Sequence, residues 1–181
     1  MLPLVGAAAG IGLSLSPFIE WVRISTGAIG VGGGNPVPAS IRGLDGPEGV
    51  IAAGCGALAL LGSLAWLGSG RGRGLNGAMI TAGGLAGIAI GAYVLLGLNN
   101  WFLDRAAEVG AGAGITSSNV RSLVSRLLEG KQVAIEAGFG IYVGIAAGAV
   151  GLLVGILALA GKGRSRPKSD VAPGGWDPSS K

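Results

Sequence analysis

The chain of 181 residues is half hydrophobic, contains 38 glycines and carries a formal net charge of +4. Only 12% of its residues are charged, about half of the ~25% that is usual in a soluble domain, and the mean hydropathy is +0.64. This composition excludes an ordinary soluble enzyme and predicts a membrane protein. The absence of histidine and the single cysteine also exclude a disulfide framework, histidine-based acid–base chemistry and Cys/His metal sites.

Four apolar stretches are long enough to cross a membrane as helices, because a helix needs roughly 20 residues to span ~30 Å of hydrocarbon. None of the four contains Asp, Glu, Lys or Arg, and all are apolar on every face, which favours helices over barrel strands. The four predicted spans are residues 2–19, 50–67, 75–98 and 138–161. A signal peptide is the alternative for the first span, but that span lacks a basic start and a small-residue cleavage site.

The second and fourth spans share a sequence motif. Residues 51–54 and 145–148 both read Ile-Ala-Ala-Gly, and both spans end in the pattern G-x-G-R-x-R. We therefore predict an all-α membrane domain over residues 1–161, in which four transmembrane helices form two tandem hairpins. Chance matching within a small apolar alphabet is the alternative explanation of the shared motif.

Basic residues predict the orientation, because Lys and Arg are retained on the cytoplasmic side of the membrane. Arg71 and Arg73 follow the second span, and a cluster that begins with Lys162 and Arg164 follows the fourth. We expect a multi-pass protein of the inner (plasma) membrane with both termini in the cytoplasm. The tail over residues 162–181 is expected to be disordered, with its basic start near anionic lipid headgroups.

The two outer loops, residues 22–49 and 99–137, form the predicted extracytoplasmic region. A β-prone start and later turn residues predict a short hairpin in the first loop. In the second loop, Ser117 and Ser118 can cap an amphipathic helix that ends at Gly130. Its apolar stripe consists of Val120, Leu123, Val124, Leu127 and Leu128. This helix either rests on the rim of the bundle or the bilayer surface, or docks on the extracytoplasmic domain of a partner.

Glycines recur every four residues along two of the spans, which permits close approach of helices in a membrane. They either pack the four helices of this chain together or form a groove for a helix of another protein. The glycines are Gly83, Gly87 and Gly91 in the third span, and Gly140, Gly144 and Gly148 in the fourth.

Three tryptophans near the span ends are predicted interfacial anchors, with Trp21 and Trp101 at the outer face and Trp66 at the inner face.

Ionisable residues inside a membrane usually mark ion, proton or substrate paths, and none lies within the four spans. This argues against a proton-coupled transporter or pump that acts alone. The loop carboxylates form no recognisable motif, so we predict no catalytic, cofactor-binding or metal-binding residues. Cys55 is expected to be a small hydrophobic residue within the second span.

Residues 16–21, Ser-Pro-Phe-Ile-Glu-Trp, and residues 43–49, Gly-Leu-Asp-Gly-Pro-Glu-Gly, carry a family resemblance. The chain resembles small four-helix membrane proteins that are common in actinobacteria, some of which are grouped as tryptophan-associated transmembrane proteins. The resemblance covers all four spans. It implies an actinobacterial cell envelope and the four-helix topology, and it assigns no catalytic residues.

Two functional hypotheses follow. The first is a non-catalytic accessory or structural subunit of a larger inner-membrane complex, with an envelope transport machine such as a lipid importer as one candidate host. Its partners would be membrane lipids and other integral membrane subunits, with no nucleic acid and no cofactor. The alternative is a stand-alone carrier or sensor that binds a lipid or another small apolar molecule between its helices.

Overall fold

The structure, a computed structural model, describes residues 1–26, 39–69, 73–112, 114, 116–130 and 133–161. Most of these residues are helical. The helices are α1 (Leu2–Leu15), α2 (Pro47–Ser69), α3 (Arg73–Leu96), α4 (Leu98–Gly112), α5 (Ser117–Glu129) and α6 (Phe139–Ala160). The strands are β1 (Glu20–Thr26), β2 (Ala39–Arg42) and β3 (Val133–Ala137), and single 3-10 turns cover Ser16–Phe18 and Gly43–Asp45.

The long helices α1, α2, α3 and α6 form a four-helix bundle in which α1 and α3 each pack against both α2 and α6. Opposing residues give the directions: Gly6 lies opposite Ser63, and Ser14 lies opposite Gly56, so α1 and α2 are antiparallel. In the pairs α2–α3, α3–α6 and α1–α6, residues later in one helix also lie opposite residues earlier in the other, so these pairs are antiparallel as well. The start of α1 and the end of α6 therefore lie at one end of the bundle, and α4, α5 and the three strands lie at the other.

Among the described residues, three helical stretches are long and apolar enough to cross a membrane, and the apolar stretch Leu2–Phe18 is shorter. The three are Pro47–Gly68, Gly74–Leu96 and Phe139–Ala160, which correspond to three of the four predicted spans. The first predicted span, about residues 2–19, corresponds to the apolar stretch Leu2–Phe18. Its α-helix ends at Leu15, because Ser16 and Pro17 begin a 3-10 turn and the chain is extended from Ile19.

A small antiparallel sheet has the strand order β2-β1-β3. Strands β1 and β2 form the pair expected in the first outer loop, with Arg23 opposite Ser40. The third strand comes from the second outer loop and places Ile135 opposite Ile24. The sequence did not predict β3 because it is only five residues long and runs directly into the last span. Residues 27–38 lie outside the described part of the chain.

The second outer loop contains two helices, whereas the sequence predicted one. The predicted amphipathic helix is α5, which follows Thr116 and ends at Gly130. The additional helix, α4, continues from α3 through Gly97, whose N–H donates to the carbonyl oxygen of Tyr93 at 3.0 Å. We call α4, α5 and the three strands the cap. The cap thus contains a helix and a strand that the sequence did not predict.

The shared Ile-Ala-Ala-Gly motif does not occupy equivalent positions in the two halves of the bundle. A Cβ atom added to Gly54 would meet nothing within 4 Å, whereas one added to Gly148 would lie 2.8 Å from the carbonyl oxygen of Gly84. The motif therefore has different packing roles in α2 and α6. The G-x-G-R-x-R pattern that follows each of the two spans lies largely on residues 70–72 and 162–166, outside the described residues.

Candidate functional site

The predicted glycine stripe of α3 lies inside the bundle. A Cβ atom at Gly83 would lie 2.5 Å from the carbonyl oxygen of Cys55 in α2, and one at Gly87 would lie 2.7 Å from Leu13 of α1. A Cβ atom at Gly91 would approach a side chain of α6 to 2.5 Å. Each distance is shorter than real Cβ contacts. The stripe is therefore covered by three helices of this chain.

The glycine stripe of α6 is covered in the same way. Gly140 lies against the ring of Trp21 and Gly144 against the hydroxyl of Ser16, with Cβ distances of 2.7 and 3.0 Å. Gly148 lies against the backbone of α3 at Gly84. Of the two interpretations that the sequence left open, these contacts favour packing within this chain. These glycines present no open groove to a partner helix.

The three tryptophans predicted as interfacial anchors are buried in the protein: Trp21, Trp66 and Trp101 are 2%, 8% and 5% exposed. The indole Nε1 of Trp21 donates to the carbonyl oxygen of Ser16 at 2.9 Å. An anchoring ring works by exposing its surface to the headgroup layer. These three rings pack against protein instead, and their depth in a membrane stays a prediction. In the described part of the chain, the exposed aromatic side chains are those of Phe18, Tyr93, Phe139 and Tyr142.

Trp21 and Trp101 belong to one hydrophobic cluster that joins the cap to the bundle. It also contains Phe102 of α4, Val22 of β1 and Ile141 of α6, all at most 8% exposed. Burial of large apolar side chains is the main stabilising term in packing. The cluster therefore fixes α4 and the sheet on the end of the bundle. Trp66 lies in a second cluster with Ile80, Val154 and Ala158.

A polar cluster lies beside this hydrophobic cluster, centred on Arg105 of α4. Its Nη2 atom lies 2.8 Å from Oε2 of Glu48, at the start of α2, and its Nη1 atom pairs with Glu108 one turn further along α4. Its guanidinium also lies over the ring of Trp101, 5.7 Å from the centroid. The Arg105 side chain is only 13% exposed. It ties the cap to α2 by a largely buried ion pair.

These residues line an open cleft with a volume of about 550 Å³. This volume lies within the ~300–1,000 Å³ that is typical of small-molecule sites. Residues from α2, α3, α4 and α5 contribute to its walls, and Arg121 of α5 pairs across it with Asp104 of α4. Lining residues include Glu48, Tyr93, Asn100, Trp101, Ser117 and Arg121. The cleft is the candidate functional site.

The sequence showed these carboxylates only as scattered loop residues. In the structure, Glu48 lines the same cleft as Asp104 and Glu108. Glu48 pairs there with Arg105, which lies 57 positions later in the chain. One signal was present: Trp101, Asp104 and Glu108 recur at helical spacing and therefore share a face. Within the part of the chain that the structure describes, no group of three or more His, Cys, Asp or Glu residues could hold a metal ion.

No family model and no curated protein matches the chain. The resemblance to small actinobacterial membrane proteins therefore stays a prediction. Cys55 is a free, partly buried thiol in α2.

Proposed function

We propose that the protein is a non-catalytic accessory subunit of a larger inner-membrane complex, held in the membrane by its bundle and docked on its partner through the cap. One observation carries this proposal. The bundle covers its own glycine stripes, whereas α5 has no buried residue and leaves Leu123 of its apolar stripe exposed. The surface available for association therefore lies on the cap and not in the glycine stripes.

The exposed position of the α5 stripe is Leu123, and the other four stripe residues are partly buried. Leu123 is 60% exposed, and Val124 is the α5 residue that packs against the hydrophobic cluster of the cap. Arg121 and Arg126 lie away from the stripe and keep the other face polar. Amphipathic helices of this kind use residues spaced by three and four positions to enter an apolar groove of a partner.

The transmembrane part of the proposal uses four spans. Helix α1 and its 3-10 turn extend over roughly 27 Å by standard rises per residue, close to the ~30 Å of the hydrocarbon core. From Gly6 to Ser16 they lie against α2 and α6, which are both long enough to span. We therefore place α1 in the membrane as the fourth span. With Arg71, Arg73 and the basic tail in the cytoplasm, the cap is extracytoplasmic.

The partners that this arrangement favours are integral membrane subunits with an extracytoplasmic domain, together with the surrounding lipids. An envelope transport machine such as a lipid importer is one host of that kind. The alternative function, a carrier of apolar molecules, requires a cavity between the helices. The close glycine contacts at the helix interfaces argue against it.

The test is purification of the tagged protein at native expression in a mild detergent, with mass spectrometry of co-eluting proteins. We expect a defined complex of fixed stoichiometry that Leu123→Asp abolishes. Ser118→Asp is the matched control, because it adds the same charge at an exposed position on the other face of α5. A lone monomer or homo-oligomer contradicts the proposal. A complex that survives both substitutions contradicts the assignment of the docking face.

A further inference from the structure

We propose that a collar of four outward-facing aromatic rings meets the lipid headgroups and marks the outer edge of the hydrocarbon on this protein. The collar consists of Phe18, Tyr93, Phe139 and Tyr142, each more than half exposed. The inference rests on the proposed function for the placement of the bundle in a membrane. It adds which surface touches the headgroups and how deep the bundle lies.

The rings of the collar lie together at the cap end of the bundle. A Cβ atom at Gly140 would lie 2.8 Å from the carbonyl oxygen of Ser16, so the start of α6 lies beside the 3-10 turn that contains Phe18. A Cβ atom at Gly91 would lie 2.5 Å from the side chain of Ile145, so the end of α3 lies beside the first two turns of α6. The collar tyrosine of α3 follows two residues later. The turn, α3 and α6 therefore all present collar rings at one level.

The surface changes from polar to apolar at this level. On four parts of the chain, a charged or amide residue on the cap side lies two or three positions from an exposed apolar or aromatic residue on the bundle side. Charged side chains are costly in hydrocarbon, and exposed aromatic rings favour the headgroup layer. A change at one level on every side of the bundle is therefore typical of the membrane boundary. The four pairs are Glu20 and Phe18, Glu48 and Val50, Asn99 and Leu96, and Glu136 and Phe139.

The distance from this level to the other end of the bundle matches the thickness of a bilayer. At 1.5 Å per residue, residues 50–68 of α2 extend over about 27 Å, and residues 75–96 of α3 and 139–160 of α6 each extend over about 32 Å. The hydrocarbon core is ~30 Å thick. None of the three segments contains Asp, Glu, Lys or Arg. An outer edge at the collar thus leaves no charged residue of these segments in the hydrocarbon.

The experiment is a depth profile along α6 with spin labels. In a Cys55→Ala background, single cysteines on the outward face of α6 carry a nitroxide, and the full-length protein is placed in phosphatidylcholine nanodiscs. Accessibility to oxygen and to a water-soluble nickel chelate, measured by electron paramagnetic resonance, gives the depth of each label. All the labelled positions are exposed, so the label leaves the helix contacts intact. They are residues 139, 142, 146, 150, 153, 157 and 160.

We expect Phe139→Cys and Ala160→Cys to lie close to the headgroups, and Val150→Cys to lie deepest, at about 15 Å, because it is ten or eleven residues from each edge. Glu136→Cys, on the cap side of the collar, is the control and should be open to the nickel chelate.

Three results would overturn the proposal, and they differ in what else they contradict. An outer edge one helical turn or more away from residues 139–142 refutes the collar and leaves a membrane-embedded bundle intact. A profile without any oxygen maximum along α6 refutes the membrane placement too, and with it the proposed function. Labels at residues 139 and 142 that are shielded from both reagents would place a second copy of the chain on this face instead of lipid.

Discussion

Gly84 gives the sharpest test of the packing of the bundle. A Cβ atom there would lie 2.5 Å from the backbone nitrogen of Leu152 and 2.6 Å from the carbonyl oxygen of Gly148. Ordinary Cβ contacts begin at 3.4 Å, so α6 would have to retreat by about 0.9 Å, the difference between 3.4 and 2.5 Å. Both obstacles are backbone atoms, so a side-chain rotation cannot relieve the clash.

We therefore expect Gly84→Ala to destabilise the bundle. Overpacking of this kind costs about 1–3 kcal/mol, partly offset by the higher helix propensity of alanine, about 1 kcal/mol in water. Gly54→Ala is the matched control, because a Cβ atom there meets nothing within 4 Å. Gly54→Ala should therefore gain only the higher helix propensity of alanine, with no cost of overpacking. The difference between the two variants should therefore isolate the overpacking term of about 1–3 kcal/mol.

The assay is unfolding of the detergent-solubilised protein by titration with sodium dodecyl sulphate, followed by circular dichroism. A difference below about 0.5 kcal/mol between Gly84→Ala and Gly54→Ala would refute the claim that α3 and α6 meet backbone to backbone, because overpacking costs at least twice as much. A Gly54→Ala variant as unstable as Gly84→Ala would refute it as well.

Two further predictions concern the cap. Arg105→Ala removes the partner of Glu48, and the cost of about 1–3 kcal/mol should accelerate hydrogen exchange in α4. Arg23→Ala removes an exposed ion pair within β1 and should leave exchange in α4 unchanged, so equal effects of the two would contradict the structural role of Arg105. Trp21→Phe removes the indole donor to the carbonyl oxygen of Ser16, which keeps the N–H of Ile19, and should lower stability by about 0.5–1.5 kcal/mol in thermal unfolding. Unchanged stability would show that this hydrogen bond is not needed.

The bundle was the part of the fold that sequence reasoning could reach. Long stretches that carry no charge and are apolar on every face favour helices over barrel strands in a membrane, so α2, α3 and α6 follow from composition. The change from α-helix to 3-10 turn within the first span was not visible in the sequence, because the apolar run continues through Ile19. Hydropathy alone carries no information about the turn that begins at Ser16.

The glycine spacing predicted close helix contacts but not what the glycines contact. Small residues every four positions make a groove, and the same groove accepts a helix of this chain or of another. Only the structure shows that Gly87 lies against Leu13 and Gly148 against Gly84. It also changes the expected effect of Gly87→Leu, which should disrupt the bundle itself and not a partner contact alone.

The sequence could not predict the cap and its cleft, for a different reason. Strand β3 is stabilised by pairing with β1, more than a hundred positions earlier, and such long-range pairs leave little local signal. The polar cluster likewise joins Glu48 to Arg105 across 57 positions. In the sequence alone, nothing places Asp104 and Glu108 on a helix that packs on the bundle, so both look like ordinary charged residues of a solvated loop.

The central claim is that a membrane-embedded bundle carries an extracytoplasmic cap, and accessibility of single cysteines tests it most directly. In a Cys55→Ala background, Ser118→Cys places a thiol on the cap and Ala160→Cys places one at the opposite end of the bundle. A membrane-impermeant maleimide should label Ser118→Cys in intact cells, and Ala160→Cys only after the cells are broken. The reverse pattern, or equal labelling of both in intact cells, would contradict the account.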